Sequence, residues 1–237
     1  MTRRNNHLEG AEHGRSIASM FNGIASWYDL LNRTLSFGLD RRWRQRLVHA
    51  VKPGPCNRIL DLASGTMDVS EQLQDLQEGA KILAFDFSLA MLKQGRTKID
   101  PRQVFPVCAD AHHIPLPDHS VDCVTIAFGI RNILPRASAY AEIFRILIPG
   151  GRLCILEFGS ARQKIWAGLY NLYLRRILPA IGRLVSRDPS AYRYLATTIT
   201  QFPPAEELRQ ELRAAGFRTV RYQALTSGIV YLHIADT

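Results

Sequence analysis

The apolar run Ile59-Leu60-Asp61-Leu62 breaks into a turn of small residues, Ala63-Ser64-Gly65-Thr66-Met67-Asp68, and the next apolar run closes on Asp86. No other feature constrains the fold of this chain as tightly. Small residues let a ligand lie against bare backbone, and the helix that follows offers unpaired N–H groups to its polar atoms. A carboxylate ending the second strand can accept hydrogen bonds from a ribose diol. Together these residues outline a site for an adenosine-containing ligand at the end of a parallel sheet.

The turn lacks the third glycine of G-x-G-x-x-G, and Asp68 opens the helix, so a doubly anionic pyrophosphate would be badly placed. A cationic sulfonium suits the site better. S-adenosylmethionine (SAM) carries adenosine, a positive sulfur and an amino-acid tail whose ammonium needs a carboxylate, which Asp61 is placed to supply. Taken alone, the same residues also fit an ordinary βα turn with a helix N-cap at Thr66 or Asp68.

After Pro53-Gly54-Pro55 the chain alternates strand-like and helix-like pieces. The spacing predicts strands at 57–63, 81–86, 103–109, 121–127 and 152–158 and helices at 67–78, 88–100 and 137–147, with Pro149-Gly150-Gly151 ending the last helix. A further helix is read at 204–215, followed by a β-hairpin from Arg218 to Leu225 and Ile229 to Ala235 through Thr226-Ser227-Gly228. The expected fold is α/β: a Rossmann-like, seven-stranded sheet with helices on both faces, as in class I SAM-dependent methyltransferases. Residues 1–50 are expected to form an N-terminal helical lid, broken near Ser36-Phe37-Gly38, and 51–237 the methyltransferase domain with a helical insertion at 161–200. Both additions should roof the carboxyl ends of the strands.

With 237 residues, 46% of them hydrophobic and 22% charged, the chain can bury a full core. Cys56, Cys108, Cys123 and Cys154 show no metal-ligand spacing, and three lie in or beside predicted strands, which points to buried thiols in a reducing compartment. Neither a leader segment nor a membrane-length apolar run is evident, so a cytoplasmic protein is expected. The net charge of +9 gathers at Arg41, Arg42, Arg44 and Arg46 and again at Arg162, Lys164, Arg175, Arg176, Arg183, Arg187 and Arg193. Such patches suit nucleic acid or an anionic membrane. From Ile165 to Leu178 the basic residues interleave with aliphatic and aromatic ones, which favours lipid or a greasy substrate.

Six segments then occur in one order: Met20-Phe21-Asn22-Gly23-Ile24-Ala25-Ser26-Trp27-Tyr28-Asp29; Ser36-Phe37-Gly38 with Trp43; the Asp61 turn; Phe128-Gly129-Ile130-Arg131-Asn132; Pro149-Gly150-Gly151-Arg152 with Glu157-Phe158; and Tyr192-Arg193-Tyr194-Leu195. On these segments the chain, from about residue 17 onward, resembles the ubiquinone/menaquinone biosynthesis C-methyltransferase family. The resemblance implies SAM as cofactor, held by Thr66, Asp86 and the Asp110-Ala111 pair, with Asp86 on the ribose and Asp110 on the adenine amino group. Asp61, Ser64, Gly65, Phe87 and Ala127 complete the candidate cofactor set. It also implies methylation of a ring carbon of a polyprenylated quinol, either demethylmenaquinol or the benzoquinol precursor of ubiquinone.

An aromatic carbon becomes nucleophilic when the adjacent hydroxyl loses its proton, so the protein must stabilise a phenolate. Arg131 is the candidate for that work, Asn132 for orienting the ring oxygens, and Tyr194, with Tyr28, Asp29 and Tyr192, for closing the pocket. His112 and His113 read as solvated loop residues. Expected partners are the quinol, peripheral contact with an anionic membrane, and a homodimer or quinone-biosynthesis assembly, without nucleic acid.

Five positions depart from the family pattern. Ser64 and Met67 replace two glycines of Ala-Gly-Gly-Thr-Gly-Asp, Ala127 replaces a serine, and Ser190-Ala191 replace an Asp-Ser pair. A non-glycine at positive φ costs about 1 kcal/mol or more, and a Met side chain brings bulk towards the cofactor's tail. Two other classes stand beside this reading: a non-catalytic scaffold, which those departures would explain, and a nucleic-acid methyltransferase, which the absence of an Asn/Asp-Pro-Pro-Tyr-type motif after the fourth strand opposes.

Overall fold

The computed structural model describes residues 22, 29, 32–33, 36–51, 57–159, 194 and 197–237. A helix α1 (Leu39–Ala50) leads into β1 (Arg58–Leu62), α2 (Asp68–Leu76), β2 (Lys81–Asp86) and α3 (Leu89–Gly95), which tightens into a 3-10 turn at Arg96–Lys98. Then come β3 (Val104–Cys108), β4 (Val121–Ala127), α4 (Arg136–Ile146), β5 (Leu147–Phe158), α5 (Ala205–Ala214), β6 (Thr219–Leu225) and β7 (Val230–Asp236). The strands form one seven-stranded sheet in the order β3-β2-β1-β4-β5-β7-β6. The first five are parallel, and the β6–β7 hairpin closes the sheet antiparallel to β5.

Strands covered on both faces need continuous apolar runs rather than alternation. In β1, Ile59 faces a core built with Trp43 and Leu47 of α1 and Leu73 of α2, while Leu60 and Leu62 face Tyr140 and Ile143 of α4 and Leu208 of α5. The sheet is thus sandwiched by α1–α3 on one face and α4 and α5 on the other. It turns back at β1, between β2 on one side and β4 on the other, and this switch point is where an open α/β sheet binds ligands.

Two sequence expectations need correction here. Pro149-Gly150-Gly151 does not end a helix ahead of a strand; it lies inside β5, which begins at Leu147. Val121 pairs with Leu147 and Cys123 with Arg152, so the extra residues bulge out of the ladder around Gly150 at φ 70°. The thiols are also not uniformly buried: Cys123 and Cys154 are, but Cys108 is exposed on the edge strand β3. Cys56 and most of the insertion at 161–200 lie outside the described residues. Among the described residues, no helix is long and apolar enough to cross a membrane.

Candidate active site

The β1–α2 turn is built from left-handed backbone. Ala63, Gly65 and Met67 lie at φ 55°, 55° and 62°. Met67, not Thr66 or Asp68, takes the N-cap position of α2, and no side chain caps the helix. Of the two glycine replacements, only Met67 therefore sits where glycine would be at ease. Its side chain is fully buried in the core, with Cε beside Gly95 of α3, so the bulk expected near a cofactor tail has gone inward instead. Gly95 makes this possible, because a Cβ there would stand 2.4 Å from the Thr66 carbonyl oxygen. Ser64 is not at positive φ, and its Oγ is buried without a hydrogen-bond partner.

Carboxylates surround the turn. Asp86, at the end of β2, accepts from the Gly65 N–H at 2.8 Å and the Ser88 N–H at 2.7 Å, and so ties the first turn to the second. Burial raises its pKa against those two bonds. Asp61 lies beneath: its carboxylate is buried and accepts from the Ser70 hydroxyl at 2.6 Å and the Thr125 hydroxyl at 3.0 Å. Desolvation outweighs both and pushes its pKa up to about 6. Asp61 thus joins α2 to β4, one oxygen on the Ser70 hydroxyl and the other on the Thr125 hydroxyl.

A chain of charges runs beside the turn. The Thr66 hydroxyl donates to Asp29, Lys98 bridges Asp29 and Asp68, and Arg44 reaches Asp68 at 3.4 Å while pairing with Asp40. Burial alone would lower the Lys98 pKa, but its two carboxylates outweigh that and raise it. Asn22 adds a second contact from the N-terminal segment, accepting from the Ser88 hydroxyl at 2.6 Å.

At the end of β3, Asp110 accepts from the His112 backbone N–H at 2.9 Å and sits 2.8 Å from the His112 ring Nδ1. These bonds hold the Asp110 carboxyl below its ordinary range. His112 is thus partly buried and partnered, with Nε2 buried and unpartnered, rather than solvated as expected; His113 is 70% exposed. Ala111 packs against the core, and Phe87 stands exposed beside Asp86.

Beyond Ala127, the last residue of β4, Phe128 takes φ 56° and the chain turns into Ile130–Asn132. Gly129 is needed, since a Cβ there would meet the Ala63 Cβ at 2.6 Å. Arg131 is buried: Nη1 donates to Glu157 at 2.8 Å and to the Phe128 carbonyl, and the guanidinium lies over the Phe158 ring at 5.7 Å. Its Nε is buried without an acceptor. Asn132 Oδ1 accepts from the Tyr194 hydroxyl at 3.1 Å, and burial raises the Tyr194 pKa, so the phenol stays protonated at neutral pH. Trp43, Phe128 and Phe158 form an aromatic wall, with Phe128 and Phe158 4.8 Å apart.

The structure thus gathers Ser64, Gly65, Thr66, Asp86, Phe87, Asp110, Ala111 and Ala127 along the carboxyl ends of the parallel strands, and places Arg131, Asn132 and Tyr194 together after β4. Tyr28 and Tyr192 lie outside the described residues. Lys98 and Glu157 carry much of the electrostatics; Glu157 stands in a segment of the resemblance without an assigned role, and nothing in the sequence neighbourhood of Lys98 marks it. At this end of the sheet the Ser64 hydroxyl has no partner and the Asp86 carboxylate stands among Asp29, Asp61, Asp68 and Asp110.

The chain matches the model of the ubiE/COQ5 methyltransferase family over residues 9–236. It is 44% identical over 219 residues to a demethylmenaquinone methyltransferase of Thermus thermophilus, covering 92% of this chain and 99% of that relative. A demethylmenaquinone methyltransferase of Corynebacterium urealyticum is 42% identical over 219 residues, covering 92% of this chain and 93% of the relative. Among solved structures, a SAM-dependent methyltransferase from Aquifex aeolicus superimposes with a TM-score of 0.59 at 17% identity, over 81% of this chain and 88% of that one.

Proposed function

The chain belongs to the ubiE/COQ5 methyltransferase family, a family of SAM-dependent methyltransferases, and from that premise we propose that it methylates a ring carbon of a polyprenylated demethylnaphthoquinol. The relatives at 42–44% identity carry the name demethylmenaquinone methyltransferase, which favours a naphthoquinol over a benzoquinol. In this reading Asp86 takes the ribose, Asp110 and the Ala111 backbone take the adenine, and the Ser64–Thr66 turn takes the tail. When bound, the cofactor supplies an electrophilic methyl on a cationic sulfur.

One observation carries the chemistry: the buried Arg131 Nε–H has no acceptor. A buried donor left unmade is costly, and a phenolate oxygen would satisfy it. Arginine stays protonated, so Arg131 stabilises the anion and does not itself remove the proton, which passes to water. Glu157 and Phe158 fix the guanidinium, while Asn132, held by Tyr194, orients the ring oxygens. Asp29 and Asn22 support a covering role for the N-terminal segment, because both reach the turns that would hold the cofactor. The substrate's apolar tail calls for peripheral contact with a bilayer.

Transfer of a labelled methyl from SAM tests this reading. A short-tailed demethylnaphthoquinol should be methylated, and a benzoquinol more slowly. Labelling of neither, with SAM bound, would leave the scaffold reading in place.

A further inference from the structure

The solvent face of α1 takes no part in the site just described. The helix buries Trp43, Leu47, Val48 and the Asp40–Arg44 pair, and exposes Arg41, Arg42, Gln45, Arg46 and His49. Asp40 is the sole acid between residues 33 and 49. Glu71 on α2 lies within electrostatic reach of Arg41, but it is itself half-buried. Just ahead of the helix, Phe37 sits at φ 52° and is 82% exposed, more than any other large hydrophobic among the described residues, with exposed Arg33 on its other side.

The position of this face matters as much as its charge. Arg44 reaches Asp68 at the start of α2, and Trp43 packs on Phe128 and Phe158, so α1 begins at the carboxyl ends of the strands, over the site. Leu89 and Leu134, 52% and 39% exposed, follow β2 and β4 at that same end. An exposed aromatic at positive φ, preceded by Arg33 and followed by a helix face of Arg41, Arg42 and Arg46 at the sheet end that also exposes Leu89 and Leu134, matches the headgroup–acyl boundary of an anionic bilayer.

We propose that Phe37, together with Arg33 before it and the exposed Arg41, Arg42 and Arg46 of α1 after it, is the point at which this protein docks on an anionic membrane. The arginines meet the headgroups and the ring enters the boundary below them. The purpose of the contact, bringing the pocket mouth to a lipid-borne quinol, rests on the proposed function; the contact itself does not.

Sedimentation with vesicles of phosphatidylcholine and phosphatidylglycerol tests it, using Phe37→Asn, which suits the left-handed turn, and the double variant Arg41→Gln/Arg42→Gln. Wild type should bind these vesicles, lose them in high salt, and ignore pure phosphatidylcholine. Each lost arginine should weaken partitioning about fivefold, and loss of the ring by a similar factor. Both variants should melt like wild type and methylate a short-tailed quinol in solution at the wild-type rate. Vesicle binding unchanged in both variants, absent in wild type, or weaker than retention on duplex RNA at the same ionic strength would overturn the docking proposal. If vesicle binding behaves as expected while wild type leaves the soluble quinol unmethylated, it is the proposed function that fails.

Discussion

The two ends of this sheet are built on opposite terms. At the amino ends, charges are paired near the surface: Arg145 holds Glu142 and Asp118, Arg152 holds Asp236, and Asp122 accepts the Asn57 and Arg58 N–H groups. At the carboxyl ends, Ala63, Met67 and Phe128 sit at positive φ, Asp61 and Asp86 are buried with raised pKa values, and Ser64, His112 and Arg131 each keep a buried polar atom without a partner. Apart from His119 at φ 51°, which precedes β4, the amino ends are built from paired groups, whereas the carboxyl ends concentrate strain and unmet hydrogen-bonding capacity where a ligand can use them. The contrast locates the site more sharply than any single residue does.

The largest effect should come from Arg131→Lys, which keeps a cation facing Glu157 but removes the unpartnered Nε–H. Turnover should fall about a hundredfold or more, while S-adenosylhomocysteine affinity stays within about threefold, since the lost interaction is with charge that develops in the substrate. Steady-state kinetics and calorimetry together read both quantities. Wild-type turnover in the lysine variant would mean that the carboxyl-end donor is idle.

Met67→Gly pits strain against packing. Relief of the left-handed backbone returns about 1 kcal/mol, but emptying a fully buried Met site costs about 2–5 kcal/mol. Urea unfolding should therefore show a net loss of about 1–4 kcal/mol, with cofactor affinity unchanged. A more stable variant would show that strain dominates at this end.

Acidity divides the carboxylates by burial: those without a cationic partner are raised and those with one are lowered. Asp61 has its folded-state pKa raised to about 6, so its contribution to stability is complete below the unfolded value near 4 and is lost as pH rises through 6. Asp86 shifts in the same sense, whereas the paired Asp40, Asp110 and Glu142 are lowered and lose stability as pH falls. The stability of wild type minus that of Asp61→Asn isolates one group, and it should decline by up to about 3 kcal/mol between pH 4 and 7. A flat difference would mean that Asp61 ionises without penalty. At the other end, Asp118→Ala should cost under about 1 kcal/mol, because its partner Arg145 keeps Glu142 and the ion pair is solvated. A larger loss would blur the contrast.

The sheet was legible because doubly buried strands leave uninterrupted apolar runs, and the β2 and β4 boundaries fell where the sequence placed them. The start of β5 was not, because Pro149-Gly150-Gly151 reads as a terminator unless the register skip opposite Val121 and Cys123 is known. Thr66, Asp86, Arg131, Asn132 and Tyr194 were legible as motif residues. Lys98 was not, since its partners Asp29 and Asp68 come from separate segments that meet only in space. The engaged state of Asp61 was hidden for the same reason: one of its hydroxyl donors, Thr125, lies 64 residues away.

Asp86 carries the central claim that the carboxyl-end turn is a SAM site. Its carboxylate accepts two backbone N–H bonds, and in the proposed site it would also accept ribose hydroxyls, each such charge-assisted bond contributing roughly 1.5–3 kcal/mol. A thermal-shift titration with S-adenosylhomocysteine, comparing wild type with Asp86→Asn and using NAD as control, measures this directly. Wild type should melt progressively higher with S-adenosylhomocysteine and much less so with NAD, and the variant should need at least about tenfold more ligand for the same shift. Absence of any shift in wild type at millimolar S-adenosylhomocysteine, or an equal shift in Asp86→Asn, would contradict the account.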